Sequence, residues 1–335
     1  MRRYVIMGTG AIGGTVGGRL AQHDIPVVWV ARGEHGEVLV RDGMTLRTPD
    51  ETIEVRATVW ASPEQAELGP DDVLVLAVKT QQAAEALAAW ADVPVRSGAE
   101  TLGTAGDLLP ILCLTNGLAA EDLALRYFER VYGVCVWCPA THVTPGEIVA
   151  RYTPVSGVFH LGRYRGDGPD DLAREVARDW ESARLSVPLP DDVMAWKRRK
   201  LVSNMVNAID ALFVRSEASK RLIKDAQAEA RAVLAATGEA VVDDEEESAN
   251  RLRAQIASVP GAPEEMGSST YQSIARGTGS VETDYINGEI VRLGRVHGVP
   301  TPVNTALASL TRRAAAEGWQ PRSRDAAALR IRPAG

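Results

Sequence analysis

Between Ala195 and Phe213 the chain reads AWKRRKLVSNMVNAIDALF, with a run of basic residues, Lys197 to Lys200, ahead of an apolar stretch. The run is either solvated charge at a helix start or the setting of a reactive lysine. Advancing roughly 100° per residue from Lys200 puts Asn204 near 40° and Asn207 near −20°, one narrow stripe. Leu201, Val202, Met205, Val206, Ile209, Leu212 and Phe213 fill the sector from roughly 100° to 240°, the expected core face. Arg198 and Arg199 fall away from the stripe and read as solvated charge, while the angle leaves Lys197 undecided. Asparagine is a poor helix former because its amide competes for backbone partners. Two of them beside a lysine therefore point to something other than helix stability. A lysine lined by amides can protonate the oxygen of a carbonyl undergoing reduction while the amides orient the substrate. The alternative is an ordinary polar face turned to water.

A second candidate lies at the start of the chain. MGTGAIGG places Gly8, Gly10 and Gly13 in a G-x-G-x-x-G pattern, after the strand-like YVIM and before a helix reaching about Gln22. In that setting Gly8 allows the tight turn, Gly10 lets a pyrophosphate approach the backbone, and Gly13 permits close helix–strand packing. The first helical turn offers N–H groups to the phosphates, so the segment Gly8, Thr9, Gly10, Ala11, Ile12 and Gly13 is the expected dinucleotide loop. The next strand, VWVA, ends at Arg32 where an NAD site would carry a carboxylate. A guanidinium cannot accept from a ribose hydroxyl but can fork onto a 2′-phosphate. The predicted cofactor is NADPH; the alternative is Arg32 as a surface charge, with Glu34 close by.

The elements that must position these groups follow from periodicity. YVIMG, IPVVWVA, DVLVLAV and LPILCLT alternate with helix-like segments, which predicts a mostly parallel sheet covered on both faces. Ligands of such sheets bind at the carboxyl ends of the strands. Lys79 follows DVLVLAV and Asn116 follows LPILCLT, so both stand at that edge, though Asn-Gly is also a common turn. EIVARYT and GVFHLGRY are expected to finish the sheet. SVPLPDD, Ser186 to Asp192, is the expected boundary, since two prolines interrupt any helix there. The segments beyond it are long, amphipathic and Ala-rich, which predicts a helical second domain. The expected division is 1–188 for a Rossmann-type α/β domain, 189–325 for an all-α domain and 326–335 for a loose tail. In the helical part, Ser268 and Ser269 precede a short helix. Glu282 falls in the first turn of another beginning near Ser280, where a carboxylate favours the helix dipole. The acidic DDEEES run reads as a solvated loop or helix start.

The chain has 335 residues, a net charge of −7 and a hydrophobic fraction of 45%, which suits two soluble domains and disfavours nonspecific nucleic-acid binding. No apolar run approaches the roughly 20 residues of a membrane span. The short apolar N-terminus reads as a first strand and not a signal core, so a cytoplasmic protein with no membrane partner is expected. Cys135 and Cys138 form CVWC, but no second pair completes a zinc site, so no metal is expected.

In order along the chain, MGTGAIGG, AVKT, TNG, KLVSN, VETDYINGEI and HGVPTPVN together resemble the ketopantoate reductase family. The resemblance implies a Rossmann domain, an all-helical domain and a site in the cleft between them. It implies NADPH-dependent reduction of a 2-oxo acid, ketopantoate to pantoate, a step of pantothenate biosynthesis. Lys200 matches the family's general acid and Asn116 a residue that positions substrate or nicotinamide. Lys79 matches a second site lysine, Ser269 a carboxylate-binding serine, and Glu282 a glutamate that helps hold substrate and lysine. A homodimer through the helical domain is also implied. The sequence departs from the family pattern in three places. Asn207 stands one position before the usual second asparagine, where this chain has Ala208. One extra residue separates Ser269 from Glu282, and Trp196 lies farther than usual from Lys200. Other readings are a relative reducing another oxo acid or an imine, and a non-catalytic NADPH-binding sensor.

Overall fold

A computed structural model of the chain describes residues 2–264, 267–277 and 279–331. It divides into two compact units: unit 1 comprises Met1–Thr115, Ala119–Met194 and Asp244–Glu264, and unit 2 comprises Asn116–Leu118, Ala195–Asp243 and Glu265–Gly335. Residue 188, the expected boundary, falls inside unit 1, which runs on to Met194. The structure adds two excursions: residues 116–118 join the helical unit, and residues 244–264 return to unit 1.

Unit 1 is built on a seven-stranded sheet of β1 (Arg3–Met7), β2 (Val27–Val30), β3 (Thr58–Trp60), β4 (Asp72–Leu76), β5 (Pro110–Cys113), β6 (Arg130–Trp137) and β7 (Val158–Arg163). The strand order is β7-β6-β5-β4-β1-β2-β3. All neighbours are parallel except β7, which runs antiparallel to β6. Side chains alternate across the strands: Tyr4 and Ile6 of β1 enter one core and Val5 and Met7 the other. Burial on both faces explains why these strands read as unbroken apolar runs. The helices used below are α1 (Ala11–Gln22), α2 (Gly33–Arg41), α3 (Ala83–Ala91) and α4 (Asp171–Ser182).

One expectation fails here. Only GVFHLGRY completes the main sheet, as β7; Glu147–Ala150 instead pairs parallel with Met44–Arg47 in a separate four-stranded sheet with Thr52–Val55 and Ala140–Thr144. The physical reason is the second face of α1. A Cβ on Gly17 would meet the Trp29 indole of β2 at 2.7 Å, whereas one on Gly14 would meet Ile148 of the small sheet at 2.8 Å. The helix is pressed between two sheets, and glycines let both approach.

Unit 2 contains α5 (Val193–Asn204), whose first two residues belong to unit 1, α6 (Val206–Leu212), α7 (Glu217–Thr237), α8 (Ser269–Ala275), α9 (Asn287–His297) and α10 (Pro302–Ala316). The acidic run does open a helix, Asp244–Arg251, in unit 1. The apolar sector read from the sequence forms much of the unit 2 core: Leu201, Val202, Met205, Ile209, Leu212 and Phe213 are all buried. Of the expected loose tail, residues 326–331 lie against the helical unit: Ala326 is buried, and Leu329 and Ile331 pack on the core; just before it, the Val214 N–H donates to the Arg324 carbonyl at 2.9 Å. Residues 332–335 lie outside the described residues. Among the described residues no helix is long and apolar enough to cross a membrane.

A buried polar chain ties the helices of unit 2 together. Glu229 of α7 accepts from the N–H groups of Val303 and Asn304, at 2.8 and 2.9 Å, in the first turn of α10. The Asn304 amide donates to Glu229 and to the Ala226 carbonyl, and its oxygen accepts from the Asn287 amide at 2.9 Å. Asn304 is fully buried, so truncating it leaves donors and acceptors without partners or water. Asn304→Ala is expected to lower stability by about 2–3 kcal/mol, read as a fall in the urea midpoint; an unchanged midpoint would count against this role.

Candidate active site

The glycine loop takes the geometry its spacing predicts. Gly8 has φ +101°, and a Cβ there would lie 2.8 Å from Val78 Cγ1 and 3.0 Å from the Val78 backbone nitrogen. A Cβ on Gly13 would stand 2.1 Å from the Gly8 carbonyl oxygen, so α1 rests directly on the turn. At Gly10, the N-cap of α1, none of the described residues lies within 4 Å of the Cβ position, and among them no side chain caps the helix. The first-turn N–H groups of Ala11, Ile12 and Gly13 therefore have no side-chain partner at the cap. The loop is steadied from behind: the Thr9 hydroxyl donates to the Val30 carbonyl at 2.9 Å, as does the Gly8 N–H at 3.2 Å.

Beside this loop opens a cavity of about 240 Å³ whose walls include Gly8, Thr9, Val30, Arg32, His35 and Glu85. Arg32, the N-cap of α2, is exposed at its edge. An apolar recess flanked by an uncapped helix start and a guanidinium fits a phosphorylated dinucleotide. Lys79 is half-buried in the same unit, preceding the 3-10 turn Thr80–Gln82 that leads into α3. A site residue not anticipated from sequence is His35. Its ring bridges the Thr9 carbonyl, 2.8 Å from Nε2, and the Gly146 N–H, 2.9 Å from Nδ1.

The remaining predicted residues fall in unit 2. Lys200 is half-buried on α5, with Asn204 one turn later and buried. Asn204 Nδ2 lies 3.4 Å from Asn116 Oδ1, so the Asn-Gly turn after β5 and the lysine helix are brought together. Gly117 has φ +77°, and a Cβ there would sit 2.4 Å from the Tyr285 carbonyl oxygen. That contact sets the turn against the segment carrying Glu282. Helix α5 tightens at its end, Met205 N–H bonding to the Val202 carbonyl, before α6 continues. Past that junction Asn207 Nδ2 reaches Ser269 Oγ at 3.5 Å. Ala208 is buried in the core, so the one-position shift of the asparagine keeps its amide on the polar side.

Ser268 caps α8 and also donates from its hydroxyl to the Asn207 carbonyl at 3.1 Å. Its N–H donates to Asp210 Oδ2 at 2.7 Å, while Arg322 Nη2 holds Asp210 Oδ1 at 2.7 Å. Asp210 and Arg322 thus fix the start of α8. By the angle count Asp210 falls about 80° from Lys200, off the stripe, so no sign of this could be read from the sequence.

Two expectations are corrected. Arg198 and Arg199 are not solvated charge. Arg199 is 8% exposed, and Arg198 donates to the Ala240 carbonyl at 2.9 Å and to Glu239 at 2.6 Å. Lys197, undecided by angle, is 3% exposed. Residues 193–197, 199, 201, 202 and 204 are all buried, so α5 is enclosed nearly all round and lacks the solvent face that the angle count assumed. Nor does Glu282 sit in the first turn of a helix beginning near Ser280. It opens the 3-10 turn Glu282–Tyr285 ahead of α9 and is buried, so it is not an exposed partner of a helix dipole.

The doubly covered parallel sheet, its glycine loop and the helical unit define a dinucleotide-binding α/β enzyme plan. Residues 4–166 match the family model of ketopantoate reductase PanE/ApbA, and residues 192–315 match the model of its C-terminal part. The chain belongs to this family and is an oxidoreductase acting on a CH–OH group. It is 28% identical to the 2-dehydropantoate 2-reductase of Halobacterium salinarum, covering 94% of this chain and all of that one. Among solved structures it is similar to a PanE/ApbA family ketopantoate reductase from Ralstonia eutropha JMP134, with a TM-score of 0.77, 25% identity, and coverage of 95% of this chain and 99% of that one. D-mandelate dehydrogenase, solved with NADH and anilino(oxo)acetate, shares the fold at a TM-score of 0.75 and 21% identity, covering 96% of this chain and 100% of that one.

The loop geometry separates two glycines. Gly10→Ala should leave the melting temperature nearly unchanged, because its Cβ meets nothing, yet weaken dinucleotide binding by filling the phosphate approach. Gly13→Ala should lower the melting temperature markedly, since its Cβ would collide with the Gly8 carbonyl. Thermal melts with and without ligand read both effects, and equal behaviour of the two variants would contradict the assignment.

Proposed function

We propose that this chain uses NADPH to reduce a 2-oxo acid to the 2-hydroxy acid, with ketopantoate and pantoate as the pair. The observation that carries the reading is the polar line of unit 2: Lys200, Asn204 against Asn116, and Asn207 against Ser269. NADPH, when bound by the loop of unit 1, supplies a hydride for the ketone carbon. The Lys200 ammonium gives a proton to the carbonyl oxygen, so that charge never accumulates there. Asn116 and Asn204 orient the carbonyl, and Asn207 with Ser269 receives the carboxylate. Glu282, buried in its 3-10 turn, helps to hold substrate and lysine, and Lys79 is a second cation of the site. Arg32 supports NADPH over NADH, because it is exposed on the cavity wall and a guanidinium can fork onto a 2′-phosphate.

Oxidation of NADPH by the purified protein, followed at its absorbance maximum with ketopantoate and a panel of other 2-oxo acids, tests the reading. Ketopantoate should be turned over fastest; a faster alternative would reassign the substrate, and no turnover of any oxo acid would reject the reaction. Lys200→Ala should lower kcat by about a hundredfold to ten-thousandfold while NADPH affinity holds. Arg32→Ala should raise the KM for NADPH about tenfold and leave that for NADH unaltered. An equal effect on both cofactors would remove the support for NADPH.

A further inference from the structure

His35 takes no part in the reaction outlined above, yet it joins the glycine loop to a distant turn. Gly146 lies between strands Ala140–Thr144 and Glu147–Ala150 of the small sheet. An amide N–H only donates and a carbonyl only accepts. The Gly146 N–H at Nδ1 and the Thr9 carbonyl at Nε2 therefore require a neutral ring with its proton on Nε2. The turn is also pressed onto α2: Gly146 has φ +81°, and a Cβ there would lie 2.5 Å from Val38 Cγ1, one turn beyond His35.

This bridge has a consequence for the loop. In a trans peptide the C=O and the following N–H point in opposite directions. Holding the Thr9 carbonyl on His35 therefore fixes the direction of the Gly10 N–H, at the N-cap of α1 where the Cβ position is open. We propose that His35 is a positioning residue of the dinucleotide site: its neutral ring holds the Thr9–Gly10 peptide ready for the pyrophosphate, and its protonation releases the loop. This rests on the dinucleotide reading of unit 1.

The ionisable groups around the ring are Arg32 and Glu34 on its own segment, Glu85 on another wall of the cavity, and His142, whose ring centroid is 4.3 Å away. No carboxylate pairs with His35 among the described residues. Burial holds its pKa below the ordinary imidazole value. A proton added at Nδ1 would set a donor against the Gly146 N–H. Affinity is therefore complete at and above the ordinary imidazole range and is lost as the pH falls through the lowered value.

Calorimetric titration of the full chain with NADP⁺ between about pH 8 and about pH 5, spanning the imidazole range, tests the proposal. His35→Phe keeps the volume but removes both bonds and should bind at least about tenfold more weakly at neutral pH. His35→Gln offers one acceptor and one donor at similar spacing. It should restore affinity at neutral pH and lose less of it in acid than wild type does. Protonation of the 2′-phosphate near pH 6 weakens both proteins alike, so the difference between them isolates the ring. A Phe variant binding within about twofold of wild type, or a Gln variant as acid-sensitive as wild type, overturns the proposal. If the Phe variant does not melt cooperatively, the pH profile of the Gln variant decides alone. Wild type binding neither NADP⁺ nor NAD⁺ would instead reject the dinucleotide reading, and this inference with it.

Discussion

The contact on which unit 1 depends is the one between the backbone of α1 and the turn before it. With only 2.1 Å from the Gly13 Cβ position to the Gly8 oxygen, no side chain fits between helix and loop. That closeness seats α1 across the end of β1. It also leaves the helix start uncapped and available to an anion. The same helix carries Gly14, Gly17 and Gly18, which let Ile148, Trp29, Leu46 and Met44 close on it from two sheets. Each glycine costs helix stability by about 1 kcal/mol relative to alanine. The helix is therefore stabilised chiefly by its neighbours, with little help from its own propensity.

In unit 2 the comparable constraint is the buried amide chain. It begins at Glu229, passes through Asn304 and Asn287, and reaches Thr283, the neighbour of Glu282, at 3.4 Å. Asn287 also approaches the sulfur of Met205 at 3.7 Å, at the junction between the helix of Lys200 and that of Asn207. One polar network thus reaches both the end of the helix that carries Lys200, the proposed proton donor, and the neighbour of Glu282, proposed to hold the substrate. In a low-dielectric interior such a network rigidifies what it touches as long as every member is satisfied.

Much of this was legible before the fold was known. The strands of the main sheet announced themselves because burial on both faces demands unbroken apolar runs. Lys200 and Asn204 could be related by angle because they share α5, whereas Asn207 lies past the break at Met205, in α6. The small sheet was harder. MTLR and TIEV are short, half-exposed segments, and the sign that a second sheet exists lay in the paired glycines of α1 at four-residue spacing, on two of its faces. Arg199 and Glu282 are both buried, and a local period along one helix does not encode how the rest of the chain packs over it. His35 was invisible for the same reason, since its ligands are backbone groups at positions 9 and 146.

The double seating of α1 bears on how the protein is made. On the ribosome the chain emerges at about 5–20 residues per second, and residues 11–22 appear early. Met44 and Leu46 can reach Gly18 soon after, but the strand that closes over Gly14 includes Ile148, so that stretch of the helix stays bare until well over a hundred further residues have been synthesised. The glycine-rich segment has little reason to stay helical in that interval. A nascent chain stalled before residue 147 would thus carry the nucleotide-binding sequence without a finished nucleotide-binding surface. The first helix to be translated is among the last elements to gain all its neighbours.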